Sequence, residues 1–186
     1  MPPKIKITKE GIINAAISLV RKGGESAINA RSIATELNCS TQPVFSNFQS
    51  MEELRFKVIE EADRLYNKYI SEELEKGVYP PYKSSGMAYI RFAKEEKELF
   101  KLLFMRDRSV EVGPAQELSE EIRAIIQRTT GLSEEELMIF HLETWSAVHG
   151  IAVMLATGFL ELDAEIISRI LSDIFYGLKK QYGIEE

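Results

Sequence analysis

Hydrogen-bonding side chains are concentrated in the stretch TQPVFSN, residues 41–47. The amide of Gln42 can pair with N6 and N7 of adenine, and Thr41 can bond a base edge or touch a thymine methyl group. Ser46 follows Gln42 by four residues and shares its face if the segment is helical. Side chains of these types on one helix face are suited to reading base edges in the major groove of duplex DNA.

Two short helices are predicted to position this stretch. Ile33, Ala34 and Leu37 have the spacing of an amphipathic helix over about residues 30–37. Asn38 tolerates the left-handed conformation that commonly ends a helix. Ser40 is predicted to cap the helix that follows.

The second helix carries a proline in its first turn. Pro43 costs little there because the N–H that it lacks has no helical partner at that position. Val44, Phe45 and Phe48 are predicted to form its buried side. Two short helices joined by a three-residue turn predict a helix-turn-helix, whose second helix enters a DNA major groove.

Capping signals place longer helices on both sides of this pair. Thr8 is predicted to cap a first helix that ends at residues 22–24, Lys-Gly-Gly. Ser50 and Glu53 have the spacing of a capping box and begin a helix to about residue 76. The apolar face of the first helix is predicted to contain Ile12, Ile13, Ala16, Leu19 and Val20.

Helical patterns continue to the end of the chain. Pro80 and Pro81 interrupt them once. A second capping box begins at Ser133, and Asp163 is predicted to cap a last helix. The predicted helices cover about residues 84–96, 98–106, 115–130, 134–158 and 163–180. Because no alternating strand pattern and no repeat is evident, the predicted fold class is all-α.

Charge is distributed unevenly along the 186 residues. Residues 1–57 contain eight basic and five acidic side chains, a net charge of +3, whereas the remainder contains 15 basic and 24 acidic side chains, a net charge of −9. Lys4 and Lys6 belong to this basic start, as does Lys9. A basic N-terminal module on an acidic body suits contact with phosphate by that module alone.

Composition predicts a cytoplasmic protein. No uninterrupted apolar run approaches the length of a membrane span, and the N-terminus does not have the pattern of a secretory signal. The single cysteine, Cys39, excludes an internal disulfide and fits a reducing compartment. It is either a small buried apolar residue or a redox-sensitive thiol.

A family resemblance follows from these residues. Residues 8–54, TKEGIINAAISLVRKGGESAINARSIATELNCSTQPVFSNFQSMEEL, resemble the DNA-binding domain of the tetracycline-repressor (TetR/AcrR) family in helix order, Ala-Ala pair, Lys-Gly stop and Glu-Glu-Leu ending. YIRFAKEEKELFKLLF (89–104) and WSAVHGIAVMLATG (145–158) resemble the ligand domain of its Trp-His-Gly subgroup. The resemblance implies a three-helix DNA-binding domain over 1–54 and a helical ligand-binding and dimerisation domain over 55–186.

The resemblance also implies which residues lie at DNA. Relatives carry Tyr where this chain has Phe45, His where it has Asn47, and often a phosphate-binding Lys where it has Met51. We therefore expect weaker or less salt-dependent operator binding than in relatives that keep all three. The expected DNA-binding residues are Lys4, Lys6, Thr8, Arg31, Ser40, Thr41, Gln42, Pro43, Phe45, Ser46 and Asn47.

The second domain is expected to bind a ligand and a second copy of the chain. Trp145 and His149 share a helix face, either as part of a ligand pocket or as a packing motif with a hydrogen-bonded histidine. The ligand candidates are Tyr89, Phe92, Phe100, Phe104, Phe140, Trp145 and His149, and they favour an apolar or aromatic molecule. The predicted dimer interface contains Ala147, Gly150, Ile151, Met154, Gly158, Ile170 and Ile174.

These observations predict a homodimeric repressor that binds a pseudo-palindromic operator and is released by a small molecule. An alternative is a protein-interaction module with a vestigial helix-turn-helix, favoured by the three departures at residues 45, 47 and 51. A third interpretation is a small-molecule enzyme, but no phosphate loop or nucleophile motif supports catalysis. No cofactor is expected, and His141 and His149 lack the clustered ligands of a transition-metal site.

Overall fold

The computed structural model describes residues 7–107 and 120–184, with the exception of the side chain of Glu121. Within these ranges the chain is helical and contains no strand, which confirms the all-α prediction. A short 3-10 helix covers Glu25–Ala27. The α-helices are α1 (Lys9–Gly23), α2 (Ala30–Glu36), α3 (Gln42–Asn47), α4 (Met51–Lys76), α5 (Pro81–Glu95), α6 (Lys97–Phe104), α7 (Glu120–Thr130), α8 (Glu134–Ala156) and α9 (Ala164–Gln181).

The chain divides into two compact units. Unit one contains the described residues up to Asn67 together with Glu96–Arg106, and unit two contains Lys68–Glu95 together with the described residues from Asp107 onward. Helix α4 contributes its first part to unit one and its last part to unit two. The predicted functional boundary after residue 54 stays a prediction.

Helix α1 is the centre of unit one. The hydroxyl of Thr8 accepts a hydrogen bond from the Gly11 backbone N–H at 3.1 Å, which confirms the predicted cap. Gly24 ends the helix with φ 71°, a conformation that favours glycine. Helices α2, α3 and α6 pack against α1. The buried residues of this core include Ile12, Ala16, Val20, Ile28, Ile33, Val44, Phe48, Leu54, Leu99 and Phe100.

The predicted turn between α2 and α3 is present. Asn29 caps α2 by accepting from the Ser32 N–H at 2.9 Å, and Asn38 adopts the left-handed conformation with φ 50°. The Cys39 N–H donates to the Ala34 carbonyl at 2.9 Å and closes the turn. The N–H groups of Asn38 and Cys39 are thus both paired with carbonyls of α2, and α3 begins four residues after Asn38.

Two predictions about α3 are wrong. Ser40 does not cap the helix: the preceding residue is Thr41, and its side chain makes no capping bond. Little is left to cap, because Pro43 has no N–H and the Val44 N–H donates to the Thr41 carbonyl at 3.1 Å. Phe45 is not buried but is 59% exposed, whereas Val44 is buried as predicted.

The start of α4 forms half of its predicted capping box. The Glu53 N–H donates to the Ser50 hydroxyl at 3.1 Å. The Glu53 carboxylate, however, accepts from the Gln49 N–H at 2.7 Å and not from that of Ser50. It also pairs with Lys9 at 2.9 Å, so the beginning of α4 is joined to the beginning of α1.

Unit two is built around the contact of α5 with α8. Helix α5 begins at Pro81, three residues earlier than predicted, because proline fits the first position of a helix. The predicted capping box of Ser133 and Glu136 and the predicted cap at Asp163 are both present. Residues 115–119 of the predicted seventh helix lie outside the described residues. A buried cluster contains Ile126, Leu132, Leu137 and Phe140.

Helix α8 is the most apolar element of unit two. Among the described residues it is the one helix long and apolar enough to cross a membrane, judged by length and composition alone. A core helix passes the same test, and Leu137, Phe140 and Ile151 of α8 are buried within the unit.

Candidate nucleic-acid interface

The outer face of α3 presents three neighbouring side chains. Gln42, Phe45 and Ser46 are exposed, whereas Val44 and Phe48 are buried. Residues 42, 45 and 46 share a face because they are separated by three and four positions in a helix. The structure thus turns the polar stretch outward on the helix that would enter a groove.

Hydrogen bonds within α3 occupy two of the predicted donors. The Ser46 hydroxyl donates to the Gln42 carbonyl at 2.9 Å, and the Asn47 amide donates to the Pro43 carbonyl at 2.8 Å. The Ser46 oxygen can still accept a bond. Asn47 is half-buried, and one N–H of its amide is directed at the Pro43 carbonyl of its own helix.

Gln42 and Arg31 keep their donors available. Both residues are exposed, Gln42 on α3 and Arg31 on α2. Over residues 7–107 and 120–184, neither side chain makes a hydrogen bond or an ion pair. The backbone carbonyl of Arg31 accepts a hydrogen bond from the Thr35 hydroxyl. A guanidinium suits guanine or phosphate, and an amide suits adenine.

Most other basic side chains near α1 are paired with carboxylates. Lys9 pairs with Glu53 at 2.9 Å. Hydrogen bonds from Lys22 and then Ser18 lower the pKa of Glu36, so this carboxylate stays charged opposite Lys22. The remaining pairs are Arg21 with Glu96 and Lys57 with Glu60. The positive charge available to phosphate is thus smaller than the count of basic residues suggests.

The other predicted DNA-binding residues have varied environments. Thr8 caps α1 and is exposed, as is Ser40, whereas Thr41 and Pro43 are half-buried. Lys4 and Lys6 lie outside the described residues. The assignment of all of these residues to DNA stays a prediction.

The ligand candidates are distributed over both units. Phe100 and Phe104 belong to unit one, where Phe104 makes an edge contact with Tyr66. Tyr89, Phe92, Phe140, Trp145 and His149 belong to unit two. Phe92, Phe100 and Phe140 are fully buried. Half-buried Trp145 and His149 stack with ring centroids 4.8 Å apart.

Two tyrosine–histidine pairs join α5 to α8 in unit two. The Tyr89 hydroxyl lies 2.8 Å from Nδ1 of His149, and the Tyr82 hydroxyl lies 3.0 Å from Nδ1 of His141. Burial lowers the pKa of His149, and burial lowers the pKa of His141 to about 4. Both histidines are therefore neutral near pH 7.

Neither of these pairs is predicted by the sequence patterns, although Tyr89 and His149 are both ligand candidates. Tyr82 also hydrogen-bonds Thr144, and burial raises its pKa to about 12. The available signal was spacing: Tyr82 and Tyr89 are seven residues apart on α5, and His141 and His149 are eight apart on α8. About two helical turns therefore separate the two tyrosines on α5, and about two separate the two histidines on α8.

An apolar strip on α8 and α9 has no cover within the described chain. Ile139 and Leu142 on α8 and Ile166 and Tyr176 on α9 are exposed, with Ile139 at 46% and Tyr176 at 54%. Sequence reasoning missed these four residues. Among the predicted dimer residues, Ile151 is buried, Ala147, Gly150, Met154, Ile170 and Ile174 are half-buried, and Gly158 is exposed. Gly150 lies on the same α8 face as Ile139 and Leu142.

No metal centre is evident in the part of the chain that the structure describes, because no three His, Cys, Asp or Glu side chains could hold an ion together. The site is thus defined by an exposed helix-turn-helix face in unit one and by a helical second unit. These features define a helix-turn-helix protein with a separate α-helical body.

Comparisons with known proteins find one matching domain and two similar folds. Residues 83–173 match the tetracyclin repressor-like, C-terminal domain. The fold is similar to that of a TetR-like transcriptional regulator from Rhodococcus sp. RHA1, with 16% identity, a TM-score of 0.70, and coverage of 95% of this chain and 98% of that one. A TetR family member from Streptomyces coelicolor A3 shares 14% identity at a TM-score of 0.61, over 88% and 95% of the two chains. No curated protein matches the sequence.

Residues 83–173 therefore belong to the tetracyclin repressor-like C-terminal domain, and the fold of the chain is similar to that of TetR-like proteins. This confirms the resemblance found in the sequence. The narrower resemblance to the Trp-His-Gly subgroup stays a prediction.

Proposed function

We propose that the protein is a repressor that binds a pseudo-palindromic operator as a homodimer through α3 and is released by a small molecule. The observation that carries this proposal is the outer face of α3, where Gln42 is exposed with its amide uncommitted among the described residues. Arg31 adds a second available donor group on α2. A two-fold dimer would place two such faces at half-sites about one helical turn apart.

Dimerisation through α8 and α9 is supported by their exposed apolar residues. Ile139 and Ile166 are both 46% exposed. Exposed apolar side chains that lie together often mark a surface that another protein covers. A β-carbon placed on Gly150 or Gly177 would meet no atom of the described chain within 4 Å. Backbones can approach closely at such positions, so the two helices of each protomer would form a four-helix interface.

Ligand binding in unit two is supported by half-buried aromatic and hydrogen-bonding groups. Trp145 and His149 offer stacked rings, and Tyr89 fixes His149 through Nδ1. A neutral imidazole and a phenol favour an uncharged apolar or aromatic molecule with one hydrogen-bonding group. A ligand that binds one dimer conformation better must change operator affinity by the same coupling factor.

Selection from a randomised duplex pool at two salt concentrations tests this proposal. The purified parent should retain an inverted repeat, and retention should fall as salt rises. Gln42→Ala should lose the repeat, whereas Gln127→Ala, which changes another exposed glutamine on α7, should retain it. An unenriched pool from the parent at low salt would contradict the proposal.

A further inference from the structure

An unusual apolar side chain lies on the outer face of α3. Phe45 is 59% exposed and shares that face with Gln42 and Ser46. Within the described residues no other aromatic ring contacts it. Exposure of a phenyl ring is unfavourable, so a partner that covers it would gain apolar burial.

Phe56 provides a comparison within unit one. It is 58% exposed on α4, but exposed Glu52 and Glu60 flank it one turn away on either side. Lys57 pairs with Glu60, and its ammonium lies 5.5 Å from the centroid of the Phe56 ring, so Phe56 already has a cation over its face. Phe45 has no acidic residue in its own helix, since α3 reads QPVFSN.

We infer that Phe45 is a specificity-determining residue that contacts the C5-methyl group of thymine in the operator half-site. The inference rests on the proposed operator binding. A phenyl ring can neither donate to a phosphate nor bond a base edge, and the thymine methyl is the apolar group that the major groove offers. Residues 42 and 45 differ by about 4.5 Å along the helix axis, so this thymine lies within about two base pairs of the adenine read by Gln42.

The test replaces each thymine of the selected operator, one at a time, by deoxyuridine, which lacks the methyl group. One position in each half-site should weaken binding of the parent about fourfold, or about fifteenfold when both half-sites are changed. The loss should be equal at two salt concentrations because no charge is involved. Phe45→Ala should bind thymine and deoxyuridine operators equally.

Two further variants keep the result interpretable. Phe56→Ala should keep the full methyl dependence, and Phe45→Leu should keep most of it while preserving an apolar side chain. Circular dichroism should show unchanged helicity, since residue 45 is exposed. An inverted repeat without any methyl dependence, or a dependence that Phe45→Ala retains, would overturn the inference and leave the proposed function standing. A selection that yields no repeat would overturn both.

Discussion

The Tyr82 hydroxyl lies 3.0 Å from Nδ1 of His141, and this pair holds α5 against α8 with a neutral histidine. Burial lowers the pKa of His141 to about 4 from an ordinary value of 6.5. The unfolded chain therefore binds a proton between pH 6.5 and pH 4 that the folded chain does not. The stability that His141 contributes is present above pH 6.5 and is lost as the pH falls towards 4.

His141→Gln should flatten this part of the stability profile. Urea titrations of parent and variant at steps from pH 7 to pH 4 would give the two free energies of unfolding. The parent should lose stability more steeply than the variant over this interval. Parallel profiles would show that the protonation of His141 is not linked to folding.

Arg31 should contribute to operator binding in one of two distinguishable ways. If its guanidinium contacts guanine, Arg31→Ala should cost about 1–3 kcal/mol per half-site and relax specificity at that base. If it contacts phosphate, the slope of log affinity against log salt concentration (the salt slope) should fall in magnitude by about one per half-site in Arg31→Ala. Anisotropy titrations at four salt concentrations separate these outcomes. Arg128→Ala, on α7 in unit two, is the control and should bind like the parent.

Met51→Lys should strengthen binding and its dependence on salt. Met51 is half-buried at the start of α4, where related proteins often place a lysine against phosphate. Two added contacts in a dimer should raise the salt slope by about 1.8. Gln127→Lys adds the same charge on α7 and should leave the slope unchanged. An equal rise of the salt slope in both variants would mean that operator binding responds to the net charge of the protein and not to the position of the lysine.

Gly150→Arg should block dimerisation without unfolding the protomer. A β-carbon placed there would meet no atom of the described chain within 4 Å beyond the backbone of its own helix, so a side chain can leave the helix at this position. In the proposed four-helix interface the same side chain would separate the helices. Light scattering should report a monomer with parent-like circular dichroism, and Gln127→Arg should remain a dimer. A dimeric Gly150→Arg protein would show that this face of α8 lies outside the interface.

Phe140 should prove to be a core residue whatever its relation to a ligand. It is fully buried with Ile126, Leu132 and Leu137. Phe140→Ala should lower the free energy of unfolding by about 3–5 kcal/mol. Ile139→Ala changes the adjacent, exposed residue and should alter the free energy of unfolding of the monomer by only about 0.5 kcal/mol. A small effect of Phe140→Ala would indicate a cavity that tolerates the truncation.

The sequence predicts helix ends well where local chemistry decides them. Thr8, Ser133 and Asp163 cap as expected because each satisfies orphan N–H groups within its own turn. The cap expected from Ser40 fails because Pro43 removes one of those N–H groups. The start of a helix is thus predictable when the backbone N–H groups that still need an acceptor are taken into account.

Burial is harder to predict where a helix is short or apolar on several sides. Helix α3 has six residues, too few to fix which apolar side chain faces inward, and Phe45 is exposed as a result. Helix α8 is apolar around much of its circumference, so its pattern did not separate exposed Ile139 and Leu142 from buried Leu137. The pairing of Tyr82 with His141 depends on which helices are neighbours, which no local pattern encodes.

The central claim is sequence-specific binding through the outer face of α3. Anisotropy titrations of parent and Gln42→Ala on the selected operator and on a scrambled duplex of equal composition test it most directly. The parent should prefer the operator by about a thousandfold or more, and Gln42→Ala should lose about 1–3 kcal/mol per half-site on the operator alone. Equal affinity of the parent for both duplexes would contradict the account.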